Sequence, residues 1–81
     1  MELKDTIALM ESEDYKDRFK AEYQQLKIRH AKLHNMMVKY EAKTLDFEPT
    51  CPIHVLREQL NLMERYLWLL EVRAEAEKIE L

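Results

Sequence analysis

The sequence predicts an all-α fold: an antiparallel, coiled-coil-like hairpin of two helices with a short N-terminal helical turn, assembled into a homo-oligomer. Three observations predict it. The 81-residue chain has no glycine, both prolines fall within Asp46–Pro52, and a heptad pattern runs unbroken on each side of that stretch. Average usage would put roughly six glycines in a chain this long. Without them no Walker loop, dinucleotide fingerprint or glycine-rich lid can be written, which excludes the common nucleotide-enzyme sites.

The elements follow in chain order. Leu3–Glu11 is short and mixed, enough for one or two turns. Ser12, followed by Glu13, Asp14 and Asp17, reads as an N-cap with acids facing the positive end of a helix dipole. Helix formers continue from about residue 13 to 43, with Lys39 and Lys43 at the negative end of the dipole. Phe19, Leu26, Leu33 and Tyr40 recur every seven residues, interleaved with Tyr23, His30 and Met37 to form an a/d seam. A loop over about 44–51 carries the strongest punctuation. Thr50 or Cys51 then caps a second helix over about 52–80, with Pro52 in its first turn. Its seam is Ile53, Leu60, Leu67 and Ala74 with Leu56, Met63 and Leu70. The two rods are each about 45 Å long at 1.5 Å per residue. A short loop makes them antiparallel neighbours within a single domain, 1–81.

The second helix has more apolar surface than one seam uses. Val55, Leu62, Leu69 and Ala76 make a second stripe, Tyr66 lies between the stripes, and Trp68 and Val72 fall on the nominally polar face. A helix apolar nearly all round is buried by more than one neighbour. The expected neighbour is another copy, giving a dimer or a higher even-numbered assembly through Leu62, Arg65, Tyr66, Trp68, Leu69 and Val72. Size points the same way, because a core this small is marginal without a disulfide, a metal or a partner subunit. Cys51 is the only cysteine, so no internal disulfide can form and an intracellular location is expected. Tyr66–Leu70 is too short to span a bilayer and Met1–Asp5 does not open a signal peptide, so the chain is expected to be cytoplasmic.

Net charge is -3, against a generic nucleic-acid binder. The average conceals a polarity: residues 27–43 carry five basic side chains and one acidic, whereas the other segments are each net acidic. Antiparallel packing brings Lys39, Tyr40 and Lys43 near Thr50, His54 and Arg57 at the start of the second helix. Cations around a helix N-terminus suit a phosphate or carboxylate, and Tyr40 offers a stacking surface. The plainer reading leaves the lysines as dipole-complementing surface residues and pairs Arg57 with Glu41 or Glu58. Trp68 beside Arg65 can stack a nucleobase or anchor a protein, its plainer role being burial between subunits. His30 and His34, spaced i, i+4, with Cys51 and His54 elsewhere, lack a defined fourth ligand for zinc, so no metal or cofactor is expected. Cys51 and His54 could form a nucleophile pair, but nothing supplies an oxyanion hole, and no enzymatic activity is expected.

The order Tyr15, Arg18, Glu22, Leu26, Arg29, Lys32-Leu33, followed by Leu56, Gln59-Leu60, Met63, Tyr66-Leu67, Leu70 and Arg73, resembles the small helical-hairpin proteins of phages and prophages, including crAss-like phages. The resemblance spans about residues 13–75, and the run from Gln59 to Leu67 is its most telling part. Some architecturally similar phage hairpins form oligomers that sequester cyclic nucleotide signals of CBASS or Thoeris immunity. The resemblance therefore implies a non-catalytic anti-defence sponge that holds an anionic nucleotide between subunits. It transfers no binding residues, because no pocket motif matches. The alternative is a helical interaction protein whose apolar second helix inhibits or scaffolds a host or phage protein.

Overall fold

A computed structural model describes all of residues 1–81. A 3₁₀ turn, Leu3–Thr6, leads into a single helical turn, α1 (Ile7–Met10), and two long helices follow, α2 (Tyr15–Glu41) and α3 (Ile53–Glu77). No strand forms, and no helix is long and apolar enough to cross a membrane.

The start of α2 differs from the expected Ser12 cap. Asp14 is the cap, its carboxylate accepting from the Lys16 amide at 2.9 Å. Ser12 is drawn away from that role: its hydroxyl donates to Asp17 at 2.8 Å and its carbonyl accepts from Arg18 at 2.9 Å. At α3 neither Thr50 nor Cys51 caps. Pro52 itself takes the cap position with an extended backbone, φ -54° and ψ 137°, and its carbonyl accepts the first intrahelical bonds from Val55 and Leu56.

Both long helices end without glycine. After α2 the Thr44 amide reaches back to the Lys39 carbonyl and the Lys43 amide to Tyr40, while Lys43 adopts φ 62°. After α3 the Ile79 amide bonds the Ala74 carbonyl at 2.8 Å, and Lys78 adopts φ 57°. These are paired Schellman closures, with lysine in the left-handed position that glycine usually takes. The second closure turns Ile79 inward, where it is buried against Phe19, Tyr23, Leu70 and Ala74.

A ladder of side-chain bonds fixes the antiparallel register. Tyr15 accepts from Arg73, Tyr66 donates to Glu22, Tyr23 donates to Glu71, His30 meets Glu64 and Arg57 pairs with Glu41. As the position on α2 rises from 15 to 41, its partner on α3 falls from 73 to 57. The seam between the helices is the expected one. Phe19, Tyr23, Met37, Leu70 and Ala74 are buried and the other apolar seam residues half-buried, save Tyr40 at the loop end, which is 39% exposed.

The N-terminal segment lies on α2 and does not touch α3. Thr6 is fully buried there, donating to the Leu3 carbonyl at 2.7 Å and accepting from Gln25 at 2.9 Å. Ala21, one turn before Gln25 and on the same face, is buried as well. The molecule is thus layered, with the N-terminal segment on α2 and α2 on α3, and the outer side of α3 stays bare.

Candidate functional site

Two surfaces hold the residues that the sequence singles out. The first is the loop end. Tyr40 stands as a shared wall between two open recesses of about 340 and 360 Å³. Lys43, Leu45 and Phe47 line the first, Thr50, Cys51 and Ile53 the second, and Glu48 and Pro49 both. Tyr40, Lys43 and Thr50 therefore gather around one ring. Arg57 stands apart, paired with Glu41 beside a recess of about 520 Å³ that includes His34, Met37 and Leu60. Lys39 and His54 are exposed and line none of these three recesses.

The electrostatics are mixed. Lys39 and Lys43 form no ion pair, whereas Glu41 and Glu48 place carboxylates in the same region. α3 opens without a side-chain cap, and the amides of Ile53 and His54 have no hydrogen-bond partner. These two donors sit beside Thr50 at the positive end of a 25-residue helix.

The second surface is the outside of α3. Leu62 is 60% exposed and Trp68 59%, with Val55, Tyr66, Leu69 and Val72 also well exposed. α3 packs on α2 alone; the Tyr66 hydroxyl reaches Glu22 on that helix, and Leu62, Trp68, Leu69 and Val72 stay largely uncovered. Arg65 lies among them, exposed and without an ion pair.

Several other titratable groups make structural contacts. The His30 and His34 rings stack at 5.9 Å and His30 engages Glu64 at 3.1 Å. No three His, Cys, Asp or Glu side chains come together as a metal-holding group. Tyr23 is pushed up to about pKa 12, first by burial and then by the Glu71 carboxylate that its hydroxyl bonds at 2.7 Å. Sequence reasoning missed a further cluster. Arg73 lies over the Phe19 ring at 5.0 Å, donates to the Tyr15 hydroxyl at 2.7 Å and pairs with Glu77. Its only sequence signal is the position of Arg73 on the flank of the α3 seam.

The extent of the hairpin matters for relationship. A family profile described as Sequestin matches residues 13–76. The chain belongs to the Sequestin family. The Sequestin match begins just ahead of α2 and stops one residue short of the end of α3, so the family unit is the hairpin, and residues 1–12 lie outside it. No curated protein and no solved structure matches the chain.

Proposed function

We propose that this Sequestin is a non-catalytic sequestering protein: a homo-oligomer, phage-encoded, that withholds a cyclic nucleotide immune signal from its receptor by holding it between subunits in the host cytoplasm. Membership of a family named for sequestration is the observation that carries this reading. The surface chemistry supports it. Each recess of the single chain is open and shallow, so enclosure of a ligand requires a second surface. The unpaired Lys39 and Lys43, the free amides at the start of α3, and Thr50 with Tyr40 offer cationic, hydrogen-bonding and stacking contacts that suit a phosphate-linked nucleobase. His54 and Arg57 complete the set, Arg57 by exchanging Glu41 for a ligand phosphate.

Incubation with cyclic di- and trinucleotides and cyclic ADP-ribose isomers tests the reading. A ligand should raise the melting temperature and be recovered unchanged after heat denaturation. Absence of a shift with every compound, or recovery of a cleaved product, removes it.

A second reading is favoured by the exposure of Leu62 and Trp68: α3 docks in the groove of another protein. Alanine at Lys39, Lys43, His54 and Arg57 should abolish a sequestering activity and spare protein docking. Substitution of Leu62, Tyr66, Trp68 and Leu69 should abolish docking of such a partner and also the subunit association that sequestration requires, so the loop-end variants are the ones that separate the two readings.

A further inference from the structure

We infer that two copies of this chain dock α3 against α3 in antiparallel fashion about a two-fold axis near residues 65–66, placing Leu62 of each copy on Leu69 of the other. The inference rests on the self-assembly part of the reading above and not on its ligand.

The first support is area. A folded monomer of 9.9 kDa exposes about 5,200 Å² by the surface scaling of single-domain proteins, whereas this chain exposes 6197 Å². The excess, about 1,000 Å², is close to the roughly 800 Å² that each partner contributes to a standard interface. Shape agrees. The radius of gyration is 15.0 Å, against about 12 Å for a compact chain of this length, and the molecule is a slab of 43 × 25 × 17 Å.

The second support is the pattern on the bare face. Val55, Leu62, Leu69 and Ala76 repeat every seven residues, a strip about 32 Å long at helical rise. A two-fold interface must be self-complementary. Antiparallel pairing about residues 65–66 sets Leu62 on Leu69 and Val55 on Ala76, the largest facing the largest and the smallest lying at the ends. Arg65 falls on the flank at the axis, where its stem can cover the leucines while its guanidinium stays in water.

Charge then selects antiparallel over parallel. The half of the hairpin nearer the loop, residues 27–65, has net charge +2, from seven basic side chains and five acidic. The half nearer the termini, residues 1–26 and 66–81, has net charge -5, from six basic and eleven acidic. Parallel docking aligns like ends, and antiparallel docking sets each positive end on a negative one. Opposed helix dipoles add in the same direction.

Cysteine pairing reads the register directly. In a Cys51→Ser background, Leu62→Cys and Leu69→Cys are prepared separately, one carrying a mass tag, then mixed and mildly oxidised. The expected product is the mixed disulfide, with little self-linked Leu62→Cys, and Tyr66→Cys alone should link to itself across the axis. Self-linking of Leu62→Cys in preference to the mixed product indicates parallel packing and overturns the inference. So does the absence of any of these links, or a monomer by light scattering at micromolar concentration. Leu62→Asp should give a monomer that keeps its helical circular dichroism, and an unaltered dimer contradicts the proposal. Nucleotide titration of the unmodified protein separates the two ideas: binding with the wrong register defeats only this inference, and the right register without binding defeats only the ligand reading.

Discussion

Lys43 and Lys78 hold left-handed backbone, with φ 62° and 57°, a conformation that costs a residue bearing a Cβ roughly 1–2 kcal/mol. Glycine removes that cost but loses more freedom on folding, so the net gain is smaller. Lys78→Gly should stabilise the chain by about 0.5–1 kcal/mol, or a few degrees in melting temperature for a domain of this size. Lys78→Ala keeps the Cβ and should leave the melting temperature near that of the parent. Equal gains for both variants would show that charge, not backbone, is responsible. Lys43→Gly extends the test, because it should stabilise the fold while weakening an anion held beside Tyr40. Tyr23 supplies a pH dependence. Its pKa, raised to about 12, means that the folded state favours the neutral phenol. The stability this contributes is therefore complete below about pH 10, the unfolded value, and is lost as pH rises through the folded one. Denaturant midpoints should fall over that window, and Tyr23→Phe should flatten the fall while costing about 1 kcal/mol at neutral pH.

Among the elements, the N-terminal segment packs on α2 alone and has one buried polar contact to fix it. Thr6 is 0% exposed and bridges the Leu3 carbonyl and Gln25. Thr6→Val keeps the shape but removes both hydroxyl bonds and leaves the Gln25 amide only the Met10 sulfur, a loss of about 1–3 kcal/mol. The expected outcome is release of residues 1–11, seen as rapid amide exchange there with α2 and α3 still protected. Retained protection would mean that apolar contacts suffice. The docking of this segment was not legible in the sequence, because the face of α2 that receives it mixes Ala21 and Gln25 and carries no stripe. The hairpin was legible, since two heptad seams and a proline-bounded loop admit few other arrangements. Its ends were less so. Ser12 and Asp14 are both competent caps, and the choice depends on Asp17 and Arg18, which engage Ser12. The helix C-termini were hidden by the missing glycines; after α3 the signal was the apolar Ile79, which the Schellman closure turns inward, whereas the equivalent residue after α2 is the exposed Thr44. At the loop end, heptad position placed Lys39, Tyr40 and Arg57 near one another and offered Arg57 either Glu41 or Glu58; the pair that forms is the one with Glu41.

For the whole molecule, only 8 of 81 residues are buried, and a core that thin cannot supply much stability on its own. Melting should therefore depend on concentration, because anything that binds the folded chain and not the unfolded one adds to apparent stability by mass action. Two leucines separate the contributions. Leu70 is 1% exposed within the hairpin core and Leu62 is 60% exposed outside it. Leu70→Ala should cost about 2–5 kcal/mol through lost transfer energy and the cavity left behind, enough to unfold the chain or nearly so at any concentration. Leu62→Ala leaves the hairpin core intact and should lower the melting temperature only where the parent is assembled. At high dilution variant and parent should melt together, and the gap between them should widen as concentration rises. Scanning calorimetry over a hundredfold range of concentration decides the matter. A constant gap would place Leu62 in the stability of the single hairpin, and a parent melting temperature independent of concentration would mean that the bare face of α3 is tolerated in water without a partner.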